Sequence, residues 1–130
     1  MRIERYFEHL QKAVVACSFL QTFSLTYDKR STCEGFIRGE LIFVDGSVLH
    51  FREFVDVETG VDRLTYVYQY MTAEQVLVFR YDNTGHHRQL NLSTYPHHKH
   101  LIREDQVVES SAPDLITVLH EIEAYVILTP

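Results

Sequence analysis

The feature that most constrains the fold is a pair of alternating, β-rich runs, Phe36 to Val44 and Ser47 to Val55, with Asp45-Gly46 between them. β-branched and aromatic residues suit a pleated, half-buried surface. Asp-Gly between two such runs predicts a hairpin with a two-residue turn whose central residues both take positive φ. Side chains then alternate between two faces. In the first run Ile37, Leu41 and Phe43 share a face; in the second, Leu49, Phe51 and Glu53 share one face and Val48, His50, Arg52 and Phe54 the other. Glu53 therefore falls in line with apolar residues. A buried carboxylate is costly unless it is hydrogen-bonded or paired, so Glu53 needs a partner.

The same alternation continues on both sides of the hairpin. Phe19 to Tyr27 reads as a preceding strand ending at Asp28-Lys29-Arg30, and Arg63 to Met71 follows a turn near Glu58-Thr59-Gly60. In this fourth strand Leu64, Tyr66, Tyr68 and Tyr70 alternate with Thr65, Val67 and Gln69; a fifth runs from Gln75 to Asp82, with Arg80 and Asp82 in phase. The stretch from Asn83 to Pro96 is irregular, and a short extended piece from about Lys99 to Ile102 returns towards the sheet. The two ends carry a helical period instead. Ile3, Tyr6, Phe7, Leu10, Ala13, Val14 and Cys17 form one apolar stripe, as do Leu115, Ile116, Leu119, Ile122 and Val126. Ser111 is the expected cap of the last helix, with Pro113 in its first turn and Asp114 three residues after the cap. Short connections between consecutive strands favour antiparallel neighbours. The expected fold is α+β: one domain over residues 1–130, an antiparallel β-sheet of about five strands, and N-terminal and C-terminal helices packed on one face. The other face is left open for a site.

Composition narrows the function classes. A chain of 130 residues, 45% hydrophobic and 23% charged, suits one folded core and not a disordered segment. No apolar run approaches the ~20 residues a membrane helix needs, and the charged N-terminus lacks a signal-peptide core. The expectation is a cytoplasmic protein with no membrane association. Cys17 and Cys33 match no metal-ligand spacing and read as free thiols. The net charge of −6 argues against indiscriminate nucleic-acid binding. Yet Arg80 to Arg103 contains four basic residues, Arg80, Arg88, Lys99 and Arg103, against one acid, Asp82. A basic patch on an acidic body attracts a phosphate-bearing ligand locally.

That patch also holds five of the eight histidines: His86, His87, His97, His98 and His100. Imidazole titrates near neutral pH, moves protons in either direction and binds metals. Cleaving RNA beside a 2′-hydroxyl needs a base for that proton, an acid for the leaving oxygen and fixed cations for the transition-state charge. His98 and His100 are the candidate acid/base pair, with His87 or His97 as substitutes; Arg80 and Lys99 supply charge, and Asp82 orients an imidazole. The tyrosines of the fourth strand read either as sheet packing or as a surface on which bases stack. Arg80 and Asp82 read equally as a structural ion pair. No cofactor is expected for this chemistry. A divalent metal held by His98, His100 and Asp82 is a second reading, although the spacing fits no specific metal motif. A non-enzymatic module that docks nucleic acid, metal or a partner through the same patch is a third. His9, His50 and His120 read as structural or surface residues.

Phe79-Arg80-Tyr81-Asp82-Asn83 followed by His86-His87, then Tyr95-Pro96-His97-His98-Lys99-His100, resembles the TumE family, the toxin half of small prokaryotic toxin–antitoxin pairs. The opening helix, Asp45-Gly46-Ser47, Glu53-Phe54-Val55, the tyrosine-rich strand and the final helix fall in the family's order. One departure is Thr84-Gly85, where the family pattern carries Ala-Pro; glycine loosens that loop. The resemblance implies a bacterial or archaeal cytoplasmic toxin and a cognate helix-turn-helix antitoxin as partner. It assigns no catalytic roles, so ribonuclease follows from the chemistry and the toxin class, with RNA as candidate substrate and a homodimer as a candidate assembly.

Overall fold

A computed structural model describes residues 1–83, 98–100, 107–109 and 113–128. Helix α1 (Ile3–Val15) is followed by strands β1 (Leu20–Lys29), β2 (Glu34–Phe43), β3 (Val48–Asp56), β4 (Asp62–Met71) and β5 (Leu77–Asp82). Two three-residue strands, β6 (His98–His100) and β7 (Val107–Glu109), precede helix α2 (Leu115–Leu128). The strands form one antiparallel sheet in chain order, β1 to β7. The five expected strands are all present; β6 is the extended return anticipated near Lys99, and β7 widens the sheet further. Val107 and Val108 alone gave no alternating run to read.

Both helices cover one face. Ile3, Tyr6, Phe7, Leu10 and Val14 of α1 join Leu115, Val118, Leu119, Ile122 and Val126 of α2 in a single core with Ile37, Leu41, Leu49, Phe51, Tyr68, Tyr70 and Phe79 of the sheet. On α2 the stripe is rotated from expectation: Val118 is buried and Ile116 is 52% exposed. The cap differs too. Asp114 Oδ1 accepts the Thr117 N–H at 2.9 Å, so Asp114 caps the helix. Ser111 lies outside the described residues. The sheet approaches α1 closely because Gly35 has no side chain; a Cβ there would lie 2.8 Å from Phe7 Cζ and 2.9 Å from Ile3 Cγ1.

The hairpin forms where predicted, by a different turn. Phe43 N donates to Ser47 O and Gly46 N to Phe43 O, both at 2.9 Å. Gly46 has φ +85°, whereas φ at Asp45 is not positive. This is a three-residue loop closed by a left-handed glycine. Asp45 instead accepts from the Ser47 N–H at 3.0 Å and the Ser47 hydroxyl at 2.5 Å. These two hydrogen bonds favour an ordinary φ at Asp45. The fifth strand starts at Leu77, later than expected: Gln75, at φ +65°, belongs to the turn closed by Thr72 N–H to Val76 O at 2.8 Å. In β4 the pairing with β3 slips between Phe54 and Val55. The slip takes Leu64 out of the alternation and leaves it 42% exposed, while Tyr66, Tyr68 and Tyr70 stay in phase and are buried.

Candidate functional site

The face away from the helices carries polar and charged residues in two rows across the strands. Directly opposed residues of an antiparallel sheet lie side by side on one face. One row passes from Thr26 through Arg38, Arg52 and Val67 to Asp82, and the register continues to position 98. The adjacent row passes from Ser24 through Glu40, His50 and Gln69 to Arg80, and then to position 100. Strands are about 4.8 Å apart in such a sheet. The register thus sets His98 opposite Asp82 and His100 opposite Arg80, with Lys99 opposite Tyr81. Three histidine-patch residues separated from β5 by sixteen or more positions are brought beside the two charged residues that the sequence singled out.

Arg80 and Asp82 are joined. Arg80 Nε donates to Asp82 Oδ2 at 3.1 Å, and Arg80 Nη1 lies 3.5 Å from Gln69 Oε1. Asp82 is fully buried and the Arg80 side chain is 23% exposed. The pair holds the guanidinium to the open face, since Arg80 lines the groove there. Asn83 closes the end of β5: its Oδ1 accepts the Tyr66 N–H at 2.9 Å and its Nδ2 donates to Leu64 O at 3.1 Å. It imitates a strand neighbour across the β4 irregularity and so ties the end of β5 to β4. His86, His87 and His97 lie outside the described residues.

The groove on this face has a volume of ≈ 410 Å³ and is lined by Arg38, Arg52 and Arg80 together with Glu40, His50 and Gln69. Arg38 and Arg52 are the site residues that reading the sequence missed. They stand directly opposite each other on β2 and β3. Like charges in that position are destabilising. Part of the signal was available: Arg38 alternates with Ile37 and Leu41, and Arg52 with Phe51 and Glu53, so both were readable as facing away from the core, but that they meet follows only from the register. His50, taken as a surface residue, lies 3.6 Å from Glu40 in the same groove. The strand-four tyrosines face the core, so base stacking on Tyr66, Tyr68 or Tyr70 is ruled out by their burial.

Behind the sheet, Glu53 has found its partners. The hydroxyls of Tyr6 and Tyr68 donate to its two oxygens. Arg63 Nη1 donates to Tyr68 Oη at 3.0 Å and to the Pro113 carbonyl at 2.6 Å, and its guanidinium lies 4.7 Å from the Tyr66 ring centroid. Burial pushes the Glu53 carboxyl above the usual carboxylate range, against the pull of the two phenols and of Arg63. Burial likewise pushes Tyr66 up to about 12, and raises Tyr6 and Tyr68 further with help from the Glu53 charge. The cluster ties α1, β3, β4 and the start of α2 together; it sits on the covered face and serves the fold.

The family model described as Toxin TumE matches residues 9–127. The chain belongs to the TumE family. It is a toxin of a toxin–antitoxin system, and an antitoxin is its partner. Comparison with curated proteins gave no match, and neither did comparison with solved structures. The match takes in the whole sheet, the second half of α1 and all but the last residue of α2; it covers the open face and Glu53, Arg63 and Tyr68 of the buried cluster, while Tyr6 precedes it. Among the described residues no helix is long and apolar enough to cross a membrane, and no group of three or more His, Cys, Asp or Glu side chains is placed to hold a metal. Cys17 and Cys33 are free thiols.

Proposed function

We propose that this TumE toxin is a ribonuclease whose chemistry takes place on the open sheet face where β5 meets β6. The observation that carries the reading is the register: His98 stands opposite Asp82 and His100 opposite Arg80. That pairing sets His98, Lys99 and His100 in backbone register with the strand that carries a fixed cation and a carboxylate. In the proposed reaction one imidazole removes the 2′-hydroxyl proton, and the 2′-oxygen attacks the adjacent phosphorus. The bond from phosphorus to the 5′-oxygen breaks, and the second imidazole, protonated, delivers its proton to that oxygen. The products are a cyclic phosphate and a free 5′-hydroxyl. Arg80 and Lys99 offset the extra negative charge on the phosphorane-like transition state. Asp82 holds Arg80 and orients the imidazole opposite it; His86, His87 and His97 are further candidates for proton transfer. The cell compartment consistent with this reading is the cytoplasm, where RNA and a helix-turn-helix antitoxin are both available.

The test is expression in bacteria of the wild type beside His98→Ala and Arg80→Ala, with total RNA sampled over time and soluble protein matched. Growth arrest with RNA fragments for the wild type only supports the assignment. Arrest with intact RNA removes the ribonuclease and keeps the toxin. Toxicity retained in folded His98→Ala protein removes the catalytic assignment. Cleavage by purified protein that survives a chelator separates imidazole chemistry from the alternative in which His98, His100 and Asp82 hold a divalent metal. Tight metal uptake or partner docking without turnover supports the non-enzymatic binding module.

A further inference from the structure

Two features of the open face lie outside the proposed reaction centre. The first is the Arg38–Arg52 pair, opposed across β2 and β3, both exposed. Among the described residues neither has an acid within ion-pair distance; the groove's own acid, Glu40, lies 3.6 Å from His50 Nε2. The second is an aromatic layer one pleat further along the same strands. Phe36 and Phe54 are directly opposed, with ring centroids 4.4 Å apart and planes 18° from parallel. The Arg30 guanidinium lies 5.0 Å over the Phe36 ring and remains 58% exposed, with Asp28 at 3.1 Å. Phe36 is itself 39% exposed.

Both features cost stability or solubility if nothing binds them. Directly opposed like charges repel, and exposed stacked aromatics on a sheet face are an association hazard. Together they form the pattern that single-stranded nucleic acid recognises: cations that follow the backbone and flat groups on which unpaired bases stack. The row that holds the two arginines supplies direction. Arg52 stands two strands from Asp82 in one register row, about 10 Å at ordinary strand spacing.

We propose that the open face of β2 and β3 is a single-stranded RNA platform: Arg38 and Arg52 hold one backbone phosphate, and the adjoining base joins the Arg30–Phe36–Phe54 stack. The strand then runs across the groove to the cleavage centre at β5 and β6. This rests on the ribonuclease reading for its ligand, and it adds the substrate class: unpaired RNA, held at a fixed distance from the scissile bond. A duplex buries its base faces and does not satisfy the stack.

The experiment uses full-length protein carrying His98→Ala, so that the probe survives, and a fluorescein-labelled ten-nucleotide oligouridylate read by anisotropy over a range of salt. Arg38→Gln and Arg52→Gln on that background are each expected to weaken binding about tenfold, and the two changes combined to lower the salt slope by about 0.7, for the one phosphate no longer neutralised. Phe36→Ala is expected to weaken it by about tenfold with the slope unchanged. The two arginine variants should melt no lower than their parent, because removing one cation relieves the repulsion. Equal affinity and slope in the arginine variants overturns the platform; if wild-type protein still cleaves the oligomer, the ribonuclease reading stands without it. Absence of both binding and cleavage overturns both. Unchanged RNA affinity with lost neutralisation by the antitoxin assigns the face to the antitoxin and overturns the proposal.

Discussion

Glu53 offers the most direct test of how the toxin is held together. It is 1% exposed, and both of its oxygens accept from phenols that are themselves buried. Glu53→Ala leaves the Tyr6 and Tyr68 hydroxyls without their acceptor. A buried donor left unsatisfied costs about 1–3 kcal/mol, and truncation adds a small cavity; relief from burying a carboxylate offsets part of this. The expected loss is about 3–4 kcal/mol, a large share of the ~5–15 kcal/mol that a domain has. Glu53→Gln keeps one acceptor and presents an amide donor to the other phenol oxygen, which can accept; its expected cost is under about 1.5 kcal/mol. The two variants also separate charge from hydrogen bonding through pH. The folded carboxyl is raised by burial above its unfolded value of about 4.3. The native state therefore keeps a proton that the unfolded state has already released. The stability tied to that proton is full below the unfolded value and is lost as pH rises through the folded one. The difference in stability between wild type and Glu53→Gln should accordingly fall as pH rises from about 4, then level off. Urea unfolding followed by far-ultraviolet circular dichroism at a series of pH values measures it. Parallel curves for the two proteins, or a Glu53→Ala variant as stable as wild type, would refute the account. The result also matters for function: lost toxicity in Glu53→Ala then reports unfolding and not chemistry.

Two further outcomes follow from the core. Gly39→Ala places a Cβ 2.5 Å from Phe51 Cε1 and 2.6 Å from Leu25 Cδ2, an overpacking expected to cost about 1–3 kcal/mol; a thermal midpoint equal to wild type would remove that clash as a constraint. Tyr6, Tyr66, Tyr68, Tyr70 and Tyr81 are buried and all have raised phenol pKa values, in each case chiefly through burial, so their ionisation should coincide with alkaline unfolding. Their stabilising contribution is complete below the unfolded value of about 10 and is lost above it. Phenolate absorbance that rises fully near that value while circular dichroism stays native would contradict it.

Periodicity alone determined the two helices and the five long strands. Alternation set β1 to β5, a three-to-four spacing set α1 and α2, and the apolar phase of β3 already marked Glu53 as a carboxylate in search of a partner. Local chemistry decided the details that periodicity could not see. The Asp45–Ser47 bonds selected a three-residue loop over the two-residue turn, and Asp114 took the cap expected of Ser111. The slip in β4 and the left-handed Gln75 shifted boundaries, because turn and bulge geometry depends on neighbouring strands as well as on the residues themselves. Family membership was legible from the histidine motifs, since residue identity survives in order along the chain. The site was legible only in part. Arg80, Asp82, His98, Lys99 and His100 were marked by composition, but their meeting is a matter of strand register. Register also exposed what the sequence concealed: Arg38 and Arg52 are fourteen positions apart and share no motif, yet pairing β2 with β3 sets one against the other. A linear sequence specifies which face each residue takes within its own strand. Which residues meet across the sheet depends on how far each strand slides against its neighbour, and only the closed tertiary structure decides that.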